Sequence, residues 1–587
     1  MVNVCGKRLF NIKYKILKMQ RVNDQISKIL KEVTKIDIYP EDIIESPIAD
    51  LASPVAFKIA KNLKKNPKEV AEEIAKKIKP RGFVEKVVAT NGYLNFFINY
   101  GEFSKQMLTD IKSEKEYGKS QRKNKKIILE HTSVNPSGPL HVGRLRNSLI
   151  GDSLRRILIF SGYDVETHYY VNDIGKQIAI IAQGFRENIK PDEKLMEEYS
   201  EYKNKQDFKV FFEYVASNKK FEEDEEFSKR VQELIKKAES GDKKSLDEIT
   251  SVARKCLDGQ KEIFKKLDIK FDSFYFESKY VENTAVDDVL NFLERSMYWK
   301  DTEFGSGLDL GEFGLGRRGN ITVLSRSDGT SVYLTRDIAY HLEKIQIGDE
   351  IINVLGEDHK FEFQELSTIL KEIYKIKKSL RVVHFSFVNF EGTELSTRKG
   401  QIASVDKLID VAISKAAEEI KKREIASSDI ADIIGIGAIK YHIIKTAPNK
   451  QITFKWDLAL SFDGDAAPYI QYAYARSCRI LEKSKLKVDD IDIEKIDLNL
   501  ENDEKELVKN LSEFSDIVKK ASAELRPDLI ATYLYKLASS YNRFYKNCQV
   551  LDVSEKVMMR RLLLVDSTKN IIKTGLYLIG IESPERM

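Results

Sequence analysis

The sequence predicts a multidomain α/β protein: a Rossmann-like parallel sheet in the middle of the chain, a small α/β unit before it and an all-α bundle after it. Three observations carry this expectation. Residues 126–171 read strand, helix, strand, the βαβ unit of a nucleotide-binding parallel sheet. The 587 residues exceed what one core serves, because domains of about 100–200 residues are the rule. From about Ser461 to the end the periodicity is helical throughout.

The elements follow in order. Residues 1–18, with Lys7, Arg8, Lys13, Lys15 and Lys18, form an extension, either amphipathic or upstream of a true start at Met19. Residues 19–103 alternate helix, Pro-punctuated loop and helix, then an apolar stretch broken by Asn91-Gly92, a hairpin turn signal. Residues 104–125 are polar and lysine-rich and read as a linker. Lys126–Glu130 is an apolar strand, followed by a Pro- and Gly-rich turn. A helical pattern through Leu145, Leu149, Leu154, Ile157 and Leu158 then stops near Gly162, and Val165–Val171 resumes strand character. Residues 184–262 read as a charged helical insertion, after which Ile321–Leu324, Ile351–Leu355 and Val382–Phe387 are expected to complete the sheet of a domain spanning 126–460. Residues 461–587 form the helical bundle, with aromatics and basic groups interleaved in Tyr469–Arg476 and Tyr541–Tyr545.

Composition narrows the function without naming it. Hydrophobic residues at 42% and charged residues at 32% exclude wholesale disorder. Lys and Arg total 97 against 92 acidic residues, and a net charge of +5 permits a nucleic-acid partner only if the basic groups cluster. The four cysteines, Cys5, Cys256, Cys478 and Cys548, lack the spacing of a zinc knuckle or a disulfide framework, so no metal site is expected. No apolar run reaches membrane-span length, and the N-terminus has no secretory h-region, which points to the cytoplasm.

The strongest local signal is His131-Thr-Ser-Val-Asn-Pro-Ser-Gly-Pro-Leu-His-Val-Gly-Arg144, between the first strand of the sheet and its helix. A helix N-terminus offers free N–H groups and the positive end of a dipole, a natural seat for nucleotide phosphate. Gly143 lets a base or ribose approach the backbone, and His141 is a donor for a phosphate oxygen. The alternative is a tight turn made by Pro136, Gly138 and Pro139 with His141 as a mere cap.

His141-Val-Gly-Arg144 resembles the HIGH signature of class I aminoacyl-tRNA synthetases, with Arg144 in place of the second histidine. The longer string from Glu130, together with Tyr169-Tyr-Val-Asn-Asp-Ile-Gly-Lys-Gln177, is similar to arginyl-tRNA synthetases in their archaeal-looking version, over nearly the whole chain. The resemblance implies ATP-dependent activation of L-arginine and its transfer to tRNA(Arg), with Mg2+ accompanying ATP, tRNA bound before activation, and a monomer. No editing domain is expected, because carboxylates that pair with a guanidinium are left unpaired by lysine, ornithine or citrulline, and the 184–262 insertion is too charged and too short for a hydrolytic domain. Glu394-Leu-Ser-Thr-Arg-Lys-Gly400 resembles the KMSKS loop, which implies catalytic roles for Arg398 and Lys399 beside His141 and Arg144, and ATP contacts from Ser396 and Thr397. Glu394 and Thr397 replace the family's two loop lysines, and Gly138 stands where many members carry a compensating lysine. A solvated surface loop is the alternative for this heptad.

The resemblance also assigns substrate groups. A guanidinium is best read by carboxylates in a planar arrangement. Tyr333-Leu-Thr-Arg-Asp337 resembles the guanidinium-reading segment, with Tyr333 and Asp337 as its readers and Glu277 as a second carboxylate; Glu130 and Asn135 correspond to the groups that grip the α-amino end. Asp337 is alternatively a helix N-terminal charge, and Glu277 a surface glutamate. Gly356-Glu-Asp-His359 resembles the segment that holds adenosine, with a structural histidine as the alternative. The N-terminal domain then corresponds to the one that touches the outer corner of tRNA, and the bundle to the one that reads the anticodon, with Tyr545 as a stacking platform. Core packing is the competing role for Phe544, Tyr469, Tyr472 and Tyr474. The ending Pro584-Glu-Arg-Met587 resembles family C-termini, which implies a complete chain and places Met587 with the tRNA contacts. A class I synthetase for lysine and a catalytically dead RNA-binding paralogue are the competing functions.

Overall fold

The computed structural model describes residues 19–303, 305–315, 321–390, 403–423 and 430–587. The extension 1–18 and the loop 394–400, with Ser396, Thr397, Arg398 and Lys399, lie outside the described residues.

The chain opens with α1 (Gln20–Thr34), β1 (Ile44–Glu45), β2 (Leu51–Ser53), α2 (Val55–Leu63), α3 (Pro67–Lys77), β3 (Val84–Thr90) and β4 (Tyr93–Ile98), the strands forming an antiparallel sheet of order β1-β2-β4-β3. Asn91 (φ 53°) and Gly92 (φ 85°) are both left-handed, the two-residue hairpin that an Asn-Gly pair favours. A Cβ on Gly92 would fall 2.7 Å from the Phe57 ring, a second reason for glycine there.

The expected linker at 104–125 is corrected. Its first half belongs to α4 (Tyr100–Ser113), which buries Phe103, Met107, Leu108 and Ile111 on one face. Those residues stand at i, i+4, i+5 and i+8, a helical stripe thin enough to be hidden among the lysines. Two of its lysines have partners in the C-terminal part: Lys105 pairs with Glu494 at 2.5 Å, and Lys112 donates to the carbonyls of Asp489 and Ile491.

The central sheet holds β5 (Lys126–Glu130), which leads into α5 (Val142–Phe160) and β6 (Asp164–Val171). Next come α6 (Lys176–Glu187), α7 (Glu193–Glu198), α8 (Gln206–Glu223), α9 (Glu225–Glu239) and α10 (Lys243–Lys266), with a core that includes Ile181, Val210, Phe227, Val231 and Ile249. After β7 (Ser273–Phe276), α11 (Lys279–Glu282) and α12 (Ala285–Glu294) come β8 (Trp299–Thr302), β9 (Gly305–Leu308) and β10 (Thr322–Arg326). Then follow α13 (Tyr333–Ile347), β11 (Glu350–Gly356), α14 (Lys360–Thr368), β12 (Ser379–Phe385) and β13 (Val388–Phe390). The parallel sheet has the order β12-β11-β5-β6-β7. The Ile321–Leu324 expectation is therefore corrected, because β10 pairs antiparallel with β9 in a separate three-stranded sheet. A short apolar run announces a strand but not its partner, which depends on distant chain. Edge strand β7, four half-buried residues with three aromatics, takes the vacant place in the parallel sheet.

The remaining elements are α15 (Val405–Lys422), α16 (Ala431–Ile444), β14 (Ile452–Phe454), which pairs with β13, α17 (Trp456–Ala459), α18 (Ala467–Lys483), α19 (Asn502–Ser512), α20 (Phe514–Glu524), α21 (Asp528–Asn547) and α22 (Glu555–Leu578). The bundle is not helical throughout: residues 484–500 run as short turns and extended chain, whose Ile491, Ile496 and Leu500 still bury into the core. Helix α5 touches β11, α16 and α22, and its fully buried Arg146 donates to the carbonyls of Ser386, Thr446, Ala447 and Lys450. Four neutral acceptors around one guanidinium join the end of β12 to the 446–450 turn. Among the described residues no helix is long and apolar enough to cross a membrane.

Candidate active site

The carboxyl ends of the parallel strands form one crest, where Glu130 closes β5, Gly356 closes β11 and Glu277 follows β7. Strand β5 is flanked by β6 on one side and β11 on the other, so the connections diverge there and leave a crevice.

On one side of the crevice lies the start of α5. His141 is its N-cap: Nδ1 accepts the Gly143 N–H at 3.0 Å. That assignment puts the ring hydrogen on Nε2, so the cap and a phosphate donor use different nitrogens of one side chain. Burial, helped by Arg144, holds the imidazole below its ordinary pKa and therefore neutral near pH 7. Arg144 is 3.8 Å from the Asp358 carboxylate, and Asp358 is 3.7 Å from His359 Nε2. A Cβ on Gly356 would lie 2.1 Å from Asp358 Oδ1, so the loop after β11 folds over its own strand end. Ala403, Ser404 and Val405, which follow the 394–400 segment in sequence, pair with Leu140–Val142 through Val142 N–H to Ala403 O and Val405 N–H to Leu140 O.

On the other side are the acids. Glu130 Oε2 accepts from the buried Lys344 Nζ at 2.6 Å and from Asn353 Nδ2 at 3.2 Å. Both donors also reach His341 Nε2, at 2.9 and 3.0 Å, while His341 Nδ1 lies 2.9 Å from Asp337 Oδ1. Nε2 thus accepts and Nδ1–H donates to Asp337. Burial opposes ionisation of Asp337, but His341, Lys344 and the more distant His359 outweigh it and hold the carboxyl below its ordinary pKa. Glu277 is 1% exposed, which removes the surface-glutamate alternative. Its Oε1 accepts from Arg336 Nε at 2.5 Å, and its Oε2 has no partner among the described residues. Burial pushes Glu277 up to about 7 although Arg336 pulls it down, with Asp173 and Asp337 adding to the rise.

The structure therefore brings His141, Gly143, Arg144, Gly356, His359, Glu130 and Glu277 to one crest, where the Asp358–His359 turn meets the α5 terminus through Arg144; Asp337 stands on α13, near enough for His359 to act on its charge. Tyr333 is 46% exposed and meets Tyr170 edge to face at 6.2 Å. Asn135 is near Gln177 Oε1 at 3.3 Å. Sequence reasoning missed Arg336, His341, Lys344 and Asn353. A signal existed for two of them: Asp337, His341 and Lys344 stand at i, i+4 and i+7 of α13, a polar stripe on one helix face. Asn353 sits inside an apolar strand and gave none. Among the described residues no group of three His, Cys, Asp or Glu is placed to hold a metal ion.

The bundle residues lie elsewhere in the chain's architecture. Tyr545 on α21 is 44% exposed, and the Arg476 guanidinium is 4.4 Å from its ring and 4.7 Å from that of Tyr472. Phe544 and Tyr474 are core, Tyr469 is half-buried, and Met587 packs partly against the core.

Comparison with known proteins agrees along nearly the whole chain. The catalytic domain of class I (R) tRNA synthetases matches residues 106–456, the arginyl-tRNA synthetase N-terminal domain residues 20–98, and the DALR anticodon-binding domain residues 470–587. The chain is 41% identical over 584 residues to an arginine–tRNA ligase of Methanocaldococcus jannaschii, covering 97% of this chain and 100% of that one. It is 40% identical over 576 residues to the arginine–tRNA ligase of Methanothermobacter thermautotrophicus, covering 97% and 99%. The solved arginyl-tRNA synthetase of Thermus thermophilus superposes with a TM-score of 0.77 at 27% identity, covering 97% of this chain and 100% of that one. With its HIGH-like turn, its acid-lined crest and its three matching domains, the chain belongs to the class I arginyl-tRNA synthetases, the arginine–tRNA ligases.

Proposed function

We propose that the chain activates L-arginine with ATP to arginyl-adenylate and transfers the arginyl group to the 3′-terminal adenosine of tRNA(Arg), releasing pyrophosphate and then AMP. One observation supports the assignment of residues: a neutral histidine at a helix N-terminus shares the strand crest with the carboxylates of Glu130 and Glu277, and Asp337 on α13 joins the two acids around Tyr333. His141 Nε2–H, Gly143 and Arg144 receive the ATP phosphates at the positive end of α5. Gly356 and His359 hold the adenosine side. Tyr333, Asp337 and Glu277 read the guanidinium, and Glu130 with Asn135 holds the α-amino group, Glu130 being kept in place by Lys344 and Asn353.

The arginine carboxylate attacks the α-phosphate, the bond to pyrophosphate breaks, and the 2′-hydroxyl of the terminal adenosine then attacks the adenylate carbonyl. No protein nucleophile is needed; positioning and stabilisation of the departing charge supply the rate. Arg398 and Lys399, with Ser396 and Thr397, serve that charge; Ala403–Val405, which follow them in sequence, pair beside His141. Mg2+ would accompany ATP as part of the substrate and would offset charge on its phosphates. Tyr545 stacks an anticodon base, Met587 lies with the tRNA contacts, and the enzyme works as a cytoplasmic monomer with tRNA bound before activation. Incubation with ATP, radiolabelled arginine and total tRNA tests this: acid-precipitable label is expected, and its absence overturns it. Pyrophosphate exchange is expected to need tRNA.

A further inference from the structure

Arg336 spends its guanidinium on Glu277 from the protein side. Its Nε–H donates to Oε1, and its Nη1 is held by the carbonyl and hydroxyl of Ser331 at 3.1 and 2.9 Å. Both members of the pair are buried, yet Glu277 Oε2 is left without a partner among the described residues. A buried acceptor left open is costly unless something completes it. We infer that Arg336 is a positioning residue that takes one oxygen of the Glu277 carboxylate and leaves the other as the acceptor of the substrate pocket, so that the site admits the cationic guanidinium of arginine and rejects the neutral urea of citrulline. This rests on the reading that Glu277 faces the substrate side chain.

The chemistry of discrimination is direct. Citrulline has arginine's length and planarity but presents a carbonyl oxygen where arginine presents an N–H donor. A carboxylate only accepts, so it leaves that carbonyl unpaired; a protonated Glu277 would donate to it. Selectivity therefore depends on the charge of Glu277. Burial raises its pKa, Asp173 and Asp337 raise it further, and Arg336 is the cation that opposes them. Tyr170 and Tyr333 also face the pair, Glu239 of α9 faces Arg336, and Arg254 of α10 faces Asp173. Removing Arg336 takes away the adjacent positive partner of the acid, and its proton is held to higher pH.

The test uses full-length R336Q, R336K and E277Q in tRNA-dependent pyrophosphate exchange with arginine and with citrulline, between about pH 6 and pH 9. R336Q is expected to raise the KM for arginine about tenfold near neutrality and to recover as pH rises, because the ionised fraction of a single acid below its pKa grows about tenfold per pH unit. Its preference for arginine over citrulline should shrink, while kcat changes little. R336K keeps the charge but not the planar fork, so its KM should rise several-fold on a wild-type pH profile. Melting and tRNA binding verify folding, and if R336Q does not fold, R336K decides: an unchanged KM overturns the proposal. A wild-type pH profile and preference in folded R336Q, alongside a large KM increase in E277Q, also overturns it. A wild-type KM in E277Q would instead remove the reading of Glu277 as a substrate partner.

Discussion

Two buried glutamates are held by arginines in opposite ways. In the helical bundle Glu504, fully buried, receives Arg560 on both oxygens and Arg561 on Oε1, and Oε2 also accepts the Glu501 N–H. In the sheet domain Glu277 receives Arg336 on one oxygen and, among the described residues, nothing on the other. The first carboxylate is satisfied by its own fold and can only be structural. The second is incomplete in the protein alone, which is what a binding group looks like before its ligand arrives.

The largest effect expected from breaking this contrast is on stability. Glu504→Ala strands two buried guanidinium groups and should cost about 3–5 kcal/mol of unfolding free energy in urea titrations. The arginine KM of the folded fraction should stay unchanged; an altered KM would blur the distinction. Next is the pH dependence of stability. The folded pKa of Glu277, about 7, lies above its ordinary 4.5, so the native state binds that proton more tightly than the unfolded chain. Native stability from this group is then greatest below 4.5 and declines as pH rises through about 7, by on the order of 3 kcal/mol. Unfolding of wild type and Glu277→Gln compared across that range should show the decline in wild type only.

Smaller effects sharpen the comparison. Asp337→Asn keeps the shape of a group whose charge is supported by His341 and Lys344, and should lose about 1.5–3 kcal/mol in kcat/KM for arginine, with the melting temperature nearly unchanged. Within the bundle, exposed Tyr545 contrasts with buried Tyr541. Tyr545→Ala should weaken tRNA binding by about 1–2 kcal/mol in filter-binding assays and spare stability. A Tyr545→Ala variant that melts early and binds normally would place this ring with the core.

Much of the site was legible because its residues come in short strings. The His141–Arg144 turn, Gly356–His359 and Tyr333–Asp337 each combine a local structural signal with a chemical group; the first two meet at the crest through Arg144 and Asp358, and the third begins α13. The groups that support them were hidden. Lys344 and Asn353 hold Glu130 across sequence separations of 214 and 223 residues, and nothing near either residue announces its partner. Arg336 stands inside the Tyr333–Asp337 string, but nothing local reveals its task, because its target, Glu277, lies 59 residues away.

Strand β10 and the 104–125 segment mark the same boundary from the fold side. Local pattern announces that residues 321–324 are extended and that Asn91-Gly92 turns, since backbone sterics and alternation act within a few residues. Pairing and burial are collective: β10 joins β9 rather than the parallel sheet, and α4 becomes a packed helix because it lies against α19 and α22 of the bundle while its Phe103 meets Phe83 of the N-terminal unit. The sequence by itself determined most element types, the Pro- and Gly-rich turn ahead of α5 and the acidic residues that gather at the candidate site. Only the tertiary structure decided which acid is already neutralised by the protein and which oxygen is left open, because the cost of an unpaired charge is set by what surrounds it and not by its neighbours along the chain.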